Sequence, residues 1–162
     1  MRDDPGSLPK EASVAPIVNS VEIARTPEEV FAYLTDLSRF TEWQEQVVSA
    51  RPLDDGPMKV GSKASLTRRM GKREQSFTTE LTEWNPPRSY AFRGIDGPVR
   101  PIGKGTLEPV GDGQRTRFTF SIDFEGHGLG KLLVPLVVRR QAKSEIVESH
   151  KALKERLESG PA

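Results

Sequence analysis

The chain has 162 residues, of which 35% are hydrophobic and 29% are charged, which fits one domain with a substantial core. Its 24 basic and 23 acidic residues leave a formal net charge of +1. This balance argues against a nucleic-acid groove or a polybasic membrane patch, because both need clustered positive charge. Cysteine is absent and only two histidines occur, which argues against disulfides, cysteine nucleophiles and multi-histidine metal centres. We expect no metal site and no cofactor.

The two ends of the chain differ from the rest in composition. Residues 1–16 mix charges with three prolines, and they predict a mobile leader because they carry too little apolar surface to offset the entropy of ordering. They lack the apolar stretch of a secretory signal. The longest apolar run, residues 129–138, is shorter than the about 20 residues of a membrane span. These features predict a cytoplasmic protein with one domain over residues 17–158 and a short tail over 159–162.

The first part of the domain predicts one strand followed by two short helices. Alternating apolar residues favour a strand over residues 17–24. After it, Thr26 is a typical N-cap, Pro27 suits the first helical position, and Glu29 completes a capping box. A second short helix is predicted over residues 37–43.

From residue 46 onwards the apolar residues recur with a period of two, which is typical of strands. Six strands separated by glycine- and proline-containing turns are predicted, over residues 46–53, 62–69, 73–84, 89–93, 102–109 and 116–125. The last of these has the cleanest alternation, with phenylalanine and isoleucine on one side and polar residues on the other. One face is therefore expected to be buried, as in an antiparallel sheet that is covered on one side.

A long helix is predicted after residue 128 and up to about residue 158. Pro135 should kink this helix or mark its true start, and the apolar stripe comprises Leu129, Leu132, Leu133, Leu136, Ile146, Val147, His150, Leu153 and Leu157. The expected fold class is α+β: a curved antiparallel sheet of about seven strands, with two short helices, wrapped around the long C-terminal helix. Space left between sheet and helix is the natural ligand pocket.

Four segments in this order and spacing carry a family resemblance. They are TPEEVFAYLTDLSRFTEW (26–43), LTEWNPPRSYAFR (81–93), GKGTLEPVGDGQRTRFTF (103–120) and HKALKERLES (150–159). Together they resemble the SRPBCC superfamily of START-like helix-grip proteins, and within it the polyketide cyclase/dehydrase-like branch, over about residues 17–158. Members often place a proline soon after the tryptophan, whereas Trp43 is followed here by Gln44-Glu45-Gln46.

The resemblance implies a hydrophobic cavity between the sheet and the C-terminal helix. The expected function is the binding of a hydrophobic or amphipathic small molecule that is lipid-, steroid- or polyketide-like. A polyketide aromatase/cyclase or dehydratase using the same cavity is the alternative, because some relatives catalyse such reactions. A non-catalytic membrane- or protein-interaction module is a second alternative. The expected partner is an apolar small molecule, with no nucleic acid and no integral membrane segment, and a homodimer is left open.

Strand parity and the helical stripe indicate which side chains would line this cavity. The ligand-binding candidates are Trp43, Leu66, Arg68, Phe77, Thr79, Leu81, Tyr90, Phe92, Phe118, Phe120, Ile122, Phe124, Leu133, Leu136 and Val137. Ala64 shares the inward parity of its strand. For each apolar residue the simpler interpretation is plain core packing, because a cavity loses packing contacts.

Three polar residues are the catalytic candidates. Arg68 has inward parity, and a buried guanidinium needs a carboxylate or water partner, but the favoured alternative is that it reaches solvent near the turn at residues 70–72. Tyr90 could orient a ligand or act as an acid, although such a tyrosine is more often part of the core. His127 lies between two glycines in a loop that could gate the pocket, whereas a lone loop histidine is usually only solvated.

The remaining polar signals are interpreted as structural. His150 falls on the apolar stripe of the long helix, which favours a packing role. Asp36 is interpreted as a helix cap and Glu83 as a strand-end charge. The segment 103–106 (GKGT) lacks the full spacing of a phosphate-binding loop and does not open a helix, so it is rejected as one.

Overall fold

A curled seven-stranded antiparallel sheet and a long C-terminal helix form a helix-grip fold in the computed structural model, which describes residues 15–129, 131 and 137–160. The strands are β1 (Ile17–Ile23), β2 (Val47–Pro52), β3 (Lys63–Met70), β4 (Arg73–Asn85), β5 (Ser89–Gly94), β6 (Val99–Val110) and β7 (Arg115–Gly126). The helices are α1 (Pro27–Leu34), α2 (Phe40–Trp43) and α3 (Arg139–Ser159), with a 3₁₀ turn at Leu37–Arg39.

The spatial order of the strands is β1-β7-β6-β5-β4-β3-β2, and every neighbouring pair is antiparallel. The predicted α+β helix-grip class is therefore confirmed. Two boundaries differ from the prediction. The second short helix is divided into the 3₁₀ turn and α2, and β6 begins three residues early because Pro101 pairs with Phe124 within the strand.

The start of α1 follows from local chemistry. The Thr26 hydroxyl accepts a hydrogen bond from the backbone N–H of Glu29 at 3.3 Å, and Pro27 occupies the first turn, where its missing N–H costs nothing. The inner face of the helix is buried, through Pro27, Val30, Phe31 and Leu34. This helix and the C-terminal part of α3 contribute to the main hydrophobic core, made of Ile23, Val30, Phe31, Leu34, Trp43, Tyr90, Leu107, Phe118 and Leu153.

The C-terminal end of α3 is tied to the connection between β1 and α1. Arg25 donates from Nε to the carbonyl oxygen of Leu157 at 2.7 Å and from Nη2 to that of Gly160 at 2.5 Å. Lys154 donates from Nζ to the carbonyl oxygen of Glu22 at 2.6 Å. Arg25 thus satisfies carbonyl groups that a helix end leaves without partners, and the three bonds together fix where α3 leaves the sheet.

The N-terminal end of α3 has a different attachment. Arg139 donates to the carboxylate of Asp123 on β7 and to the carbonyl oxygen of Ala15, each at 2.6 Å. Between its ends, α3 buries Ala142, His150 and Leu153. The prediction that Val147 belongs to the apolar stripe is wrong: its side chain is 53% exposed, because it follows Ile146 by one residue and points about 100° away from the buried face.

Several predicted features fall on parts of the chain outside the described residues. They are Leu132, Leu133, Pro135 and Leu136 of the long helix, residues 1–14 of the leader, and residues 161–162 of the tail. Of the predicted tail, Ser159 instead belongs to α3 as its last residue, and the carbonyl oxygen of Gly160 accepts a hydrogen bond from Arg25. No helix within the described ranges is long and apolar enough to cross a membrane.

Replacing Arg25 should loosen the end of α3. We expect Arg25→Met to lower the free energy of unfolding by about 1.5–3 kcal/mol, because two charge-assisted hydrogen bonds to helix-end carbonyls are lost. Urea denaturation measures the change. Arg93→Met is the matched control, since the side chain of Arg93 is exposed and pairs with Glu80, and its loss should change stability by less than about 1 kcal/mol. Equal effects of the two variants would contradict the anchoring role.

Candidate functional site

A cavity of about 250 Å³ lies between the sheet and α3. This volume is far larger than the roughly 10–15 Å³ that one water molecule requires. Leu34, Phe40 and Trp43 form one end of the wall, the strands supply most of the remainder, and α3 contributes Gln141, Ala142, Glu145, Ile146, Ser149 and His150, with Val138 just before it. The core at the α1 end and the cavity thus share the same inner face of the sheet.

Aromatic rings on β5 and β7 form a continuous part of the wall. Tyr90 stacks on Phe92 at 6.5 Å between ring centroids, and Phe92 stacks on Phe120 at 6.2 Å. The neighbouring strand β6 makes room for them with glycine. A Cβ atom at Gly103 would lie 2.5 Å from Phe92 Cζ, and one at Gly105 would lie 2.7 Å from Tyr90 Cζ. The GKGT segment therefore accommodates the aromatic wall, which gives its glycines a structural explanation.

The structure brings most of the predicted lining residues together. Those that line the cavity are Trp43, Leu66, Arg68, Phe77, Thr79, Leu81, Tyr90, Phe92, Phe118, Phe120, Ile122 and Phe124, and Ala64 joins them. Leu133 and Leu136 lie outside the described residues. The prediction for Val137 is wrong, because the residue is 51% exposed and its neighbour Val138 lines the cavity instead. Consecutive residues of a helical turn point in different directions.

Trp84 is a cavity residue that strand parity misses. Phe77, Thr79 and Leu81 have inward parity on β4, so an unbroken strand would turn Glu83 inward and Trp84 outward. The pairing with β5 shifts between Leu81 and Glu83, and such a bulge reverses the facing of all later residues. Trp84 therefore lines the cavity and packs on Phe31 at 5.1 Å between ring centroids.

Glu83 consequently lies away from the cavity. Its carboxylate accepts hydrogen bonds from the hydroxyl of Ser89 and from Lys104. The Ser89 bond, followed by that from Lys104, lowers the pKa of Glu83 below its ordinary value. Asp36 caps the 3₁₀ turn by accepting from the N–H of Ser38 at 3.0 Å. The cap interpretation is thus confirmed, and Glu83 is a paired charge in the last three residues of β4.

Arg68 and Glu145 form an ion pair on the cavity wall, between β3 and α3. Arg68 Nη2 lies 2.5 Å from Glu145 Oε2, and the two side chains are only 28% and 24% exposed. The favoured prediction for Arg68, that it reaches solvent beside the turn, is therefore wrong. The guanidinium points inward because α3 supplies the carboxylate that a desolvated cation needs. Among the described residues, nothing accepts a hydrogen bond from its buried Nε.

Tyr90 is buried in the wall at the end nearest α1. Burial raises the pKa of its phenol well above the ordinary value, so the hydroxyl stays protonated at neutral pH. Its ring packs edge-on against Phe31 at 6.1 Å between centroids. Chemically, the group is a neutral donor and acceptor rather than a base.

His127 lies apart from this site. Its side chain is 44% exposed, its Nε2 is 3.7 Å from the carboxylate of Glu125, and it does not line the cavity. The structure therefore separates the third catalytic candidate from Arg68 and Tyr90. Of the neighbouring apolar run, Leu129 is 78% exposed, and residues 130 and 132–136 are outside the described ranges.

His150 is a second residue, besides Trp84, that lines the cavity although it was not predicted to do so. It is only 4% exposed, lines the cavity, and receives a hydrogen bond from Asn19 on β1 at 2.7 Å. Burial lowers the pKa of His150 to about 4, so the imidazole is neutral at pH 7. The predicted packing role is present, but the ring is also a polar group on the cavity wall.

A family model with the description polyketide cyclase / dehydrase and lipid transport matches residues 15–158. The chain belongs to this family. The match spans nearly all of the described structure, including every strand and most of α3. No curated protein matches the chain in sequence.

Solved structures share the fold of this family member. A START superfamily protein from Mycobacterium smegmatis has a TM-score of 0.73 at 17% identity, over 90% of this chain and 98% of that one. A protein from Thermus thermophilus has a TM-score of 0.72 at 20% identity, over 88% and 96%. The Zhui aromatase/cyclase from Streptomyces sp. R1128 has a TM-score of 0.67 at 16% identity, over 91% and 98%. At these identities the similarity establishes the fold.

Burial of His150 predicts a specific loss of stability in acid. The folded protein keeps this imidazole neutral down to about pH 4, whereas an unfolded histidine takes up a proton near pH 6.5. The free energy of unfolding should therefore be fully retained above about pH 6.5 and fall by up to about 3 kcal/mol as the pH drops towards 4.

The measurement is urea denaturation at several pH values between 4 and 7.5, compared with His150→Gln. Carboxylates titrate in both proteins, so their effect on stability cancels in the comparison. The difference in the free energy of unfolding between wild type and His150→Gln should therefore shrink as the pH falls, because only the wild type loses the contribution of His150. His127→Gln removes the exposed histidine and should follow the wild-type profile. A constant difference between wild type and His150→Gln across this range would show that His150 is not held neutral.

Proposed function

We propose that this protein binds a hydrophobic or amphipathic small molecule, lipid-, steroid- or polyketide-like, in the cavity between the sheet and α3. The observation that carries the proposal is the cavity itself, a space of about 250 Å³ whose wall is dominated by aromatic and aliphatic side chains. Burial of apolar ligand surface against such a wall contributes roughly 25 cal/mol per Å². A ligand in such a cavity also gains packing contacts with the apolar wall.

The polar groups on the wall favour a ligand that is mainly apolar with few oxygen atoms. Arg68 and Glu145 already neutralise one another, and His150 is uncharged at neutral pH. A highly charged ligand would lose its hydration without gaining a full complement of partners. A long or polycyclic apolar body with one or two polar positions fits this distribution.

Filling the cavity should abolish ligand binding. Ala64 lines the cavity, whereas Ser65, the next residue of β3, does not and lies on the opposite face of the sheet. We expect native mass spectrometry to find an apolar molecule bound to the wild-type protein and to Ser65→Phe, and none bound to Ala64→Phe.

The same variants can be tested by thermal denaturation against a library of fatty acids, steroids and aromatic polyketides. A cavity ligand raises the melting temperature of the wild type and of Ser65→Phe, since it binds only the folded state. Stabilisation of Ala64→Phe as large as that of the wild type by every active compound would refute binding in this cavity.

Catalysis of polyketide cyclisation or dehydration is the alternative, favoured by the presence of Arg68 and Tyr90 in the lining of the same cavity. Three of the similar structures are described as aromatase/cyclases: the Zhui protein and the di-domain ARO/CYC proteins BexL and StfQ. In such a reaction the cavity would fold the substrate chain and polar groups would donate or accept protons. The protonated Tyr90 hydroxyl and the Arg68 guanidinium would act as donors to a substrate oxygen.

Variant kinetics with a synthetic poly-β-ketone substrate distinguish the two functions. If the protein is an enzyme, Tyr90→Phe and Arg68→Met should each lower turnover by about 10²-fold or more. His127→Gln should leave turnover unchanged, because His127 lies outside the cavity. Binding of the substrate without any turnover above the uncatalysed rate would leave ligand binding as the function.

A further inference from the structure

His150 places a polar ring on the cavity wall, against the aromatic side chains of β7. The imidazole packs edge-on against Phe118 at 5.1 Å and against Phe120 at 5.9 Å between ring centroids. Both phenylalanines line the cavity, as His150 does. The hydrogen bond to Asn19 accounts for Nδ1 of this ring, whereas the role of Nε2 needs an explanation of its own.

Asn19 fixes which nitrogen of the ring carries the proton. Its amide nitrogen Nδ2 lies 2.7 Å from His150 Nδ1, and an amide N–H can only donate, so Nδ1 must be the acceptor. The ring is neutral at pH 7, because burial lowers its pKa to about 4. A neutral imidazole that accepts at Nδ1 carries its proton on Nε2.

The Nε2 side of the ring faces a different environment from Nδ1. Asn19 does not line the cavity, whereas His150 does, which favours a ring orientation in which the edge away from Asn19 meets the cavity. Among the described residues, the imidazole has no hydrogen-bond partner besides Asn19. A donor left without an acceptor in an apolar environment is unfavourable, and an oxygen atom on a bound molecule would remove that penalty.

We propose that His150 is a specificity-determining hydrogen-bond donor in the cavity, that Asn19 is its positioning residue, and that the ligand carries an uncharged acceptor oxygen, such as a ketone or ester carbonyl, on its apolar body. This proposal rests on the proposed ligand binding and names the chemistry of the ligand. An anionic oxygen fits less well at this point, because the neutral imidazole supplies no counter-charge and Arg68 is already paired with Glu145.

A matched pair of probes isolates the hydrogen bond. Fluorene and 9-fluorenone have the same tricyclic skeleton and differ by one carbonyl oxygen. Binding can be followed by quenching of intrinsic fluorescence, because the two tryptophans of the chain, Trp43 and Trp84, both line the cavity. The wild-type protein should bind 9-fluorenone about three- to tenfold more tightly than fluorene after correction for their different partition from water.

Two substitutions at His150 test the donor. His150→Phe keeps a planar ring and removes the N–H, so the preference should disappear while fluorene still binds. His150→Gln retains an N–H donor and should keep part of the preference. His127→Phe is the matched control, the same substitution at the exposed histidine outside the cavity, and should preserve the wild-type ratio. Should His150→Phe not fold, Asn19→Leu, which leaves the cavity wall in place, should reduce the ratio by removing the tautomer bias.

Nitrogen-15 NMR of the imidazoles reports which ring nitrogen carries the proton. A residue that only packs would not require one tautomer. The chain has only two histidines, so His127→Gln assigns both. We expect His150 to show a protonated Nε2 and an unprotonated Nδ1 at pH 7, and Asn19→Leu to mix the two tautomers.

An Nδ1–H tautomer in the wild type, or an unchanged preference for 9-fluorenone in His150→Phe, would overturn the proposal while leaving ligand binding intact. Failure of both probes to bind at their solubility limits would count against the proposed function itself.

Discussion

The covering of the inner face of the sheet by α3 is the constraint on which the rest of this structure depends. A curled antiparallel sheet buries one apolar face, and α3 is the element in the described structure that is long enough to cover it. Arg25 fixes the helix at its C-terminal end through the carbonyl oxygens of Leu157 and Gly160. Near that end the side chains pack into a core with Leu153 fully buried, and farther along the helix the same two layers enclose the cavity.

Each charged or titratable group that α3 brings to the cavity comes with a partner or is neutral. Glu145 meets Arg68 of β3, and His150 meets Asn19 of β1. Isolated charges would be expensive in this environment, whereas paired or uncharged groups are tolerated. The helix is therefore linked by polar contacts to β1 and β3, strands that lie far apart in the sheet. Those links hold α3 across the cavity without filling it.

Most of the fold followed from local patterns in the sequence, because capping, turn residues and alternation are physical signals of short range. The strand β7 shows this clearly, since its alternating Phe118, Phe120 and Ile122 all line the cavity as predicted. Parity failed at Trp84, where a bulge in β4 reversed the facing. Parity gave the inward direction of Arg68 correctly, but the favoured prediction was a solvent-facing side chain because the sequence shows no partner for a buried guanidinium. The partner of Arg68 is 77 residues away on α3, and the partner of His150 is 131 residues away. Such pairings depend on the register between distant elements, which a single sequence does not display.

The two glycines of β6 that face Phe92 and Tyr90 have a consequence for how this fold can diversify. The rings occupy the space that side chains at positions 103 and 105 would take. The residues of β6 therefore determine where the aromatic rings of the neighbouring strand β5 lie, and with them the contour of the cavity wall. A methyl group added on β6 would push a ring into the cavity and reshape it. Related chains could therefore change the size of molecule that they accept by exchanging residues behind the aromatic wall, while the aromatic residues themselves stay the same.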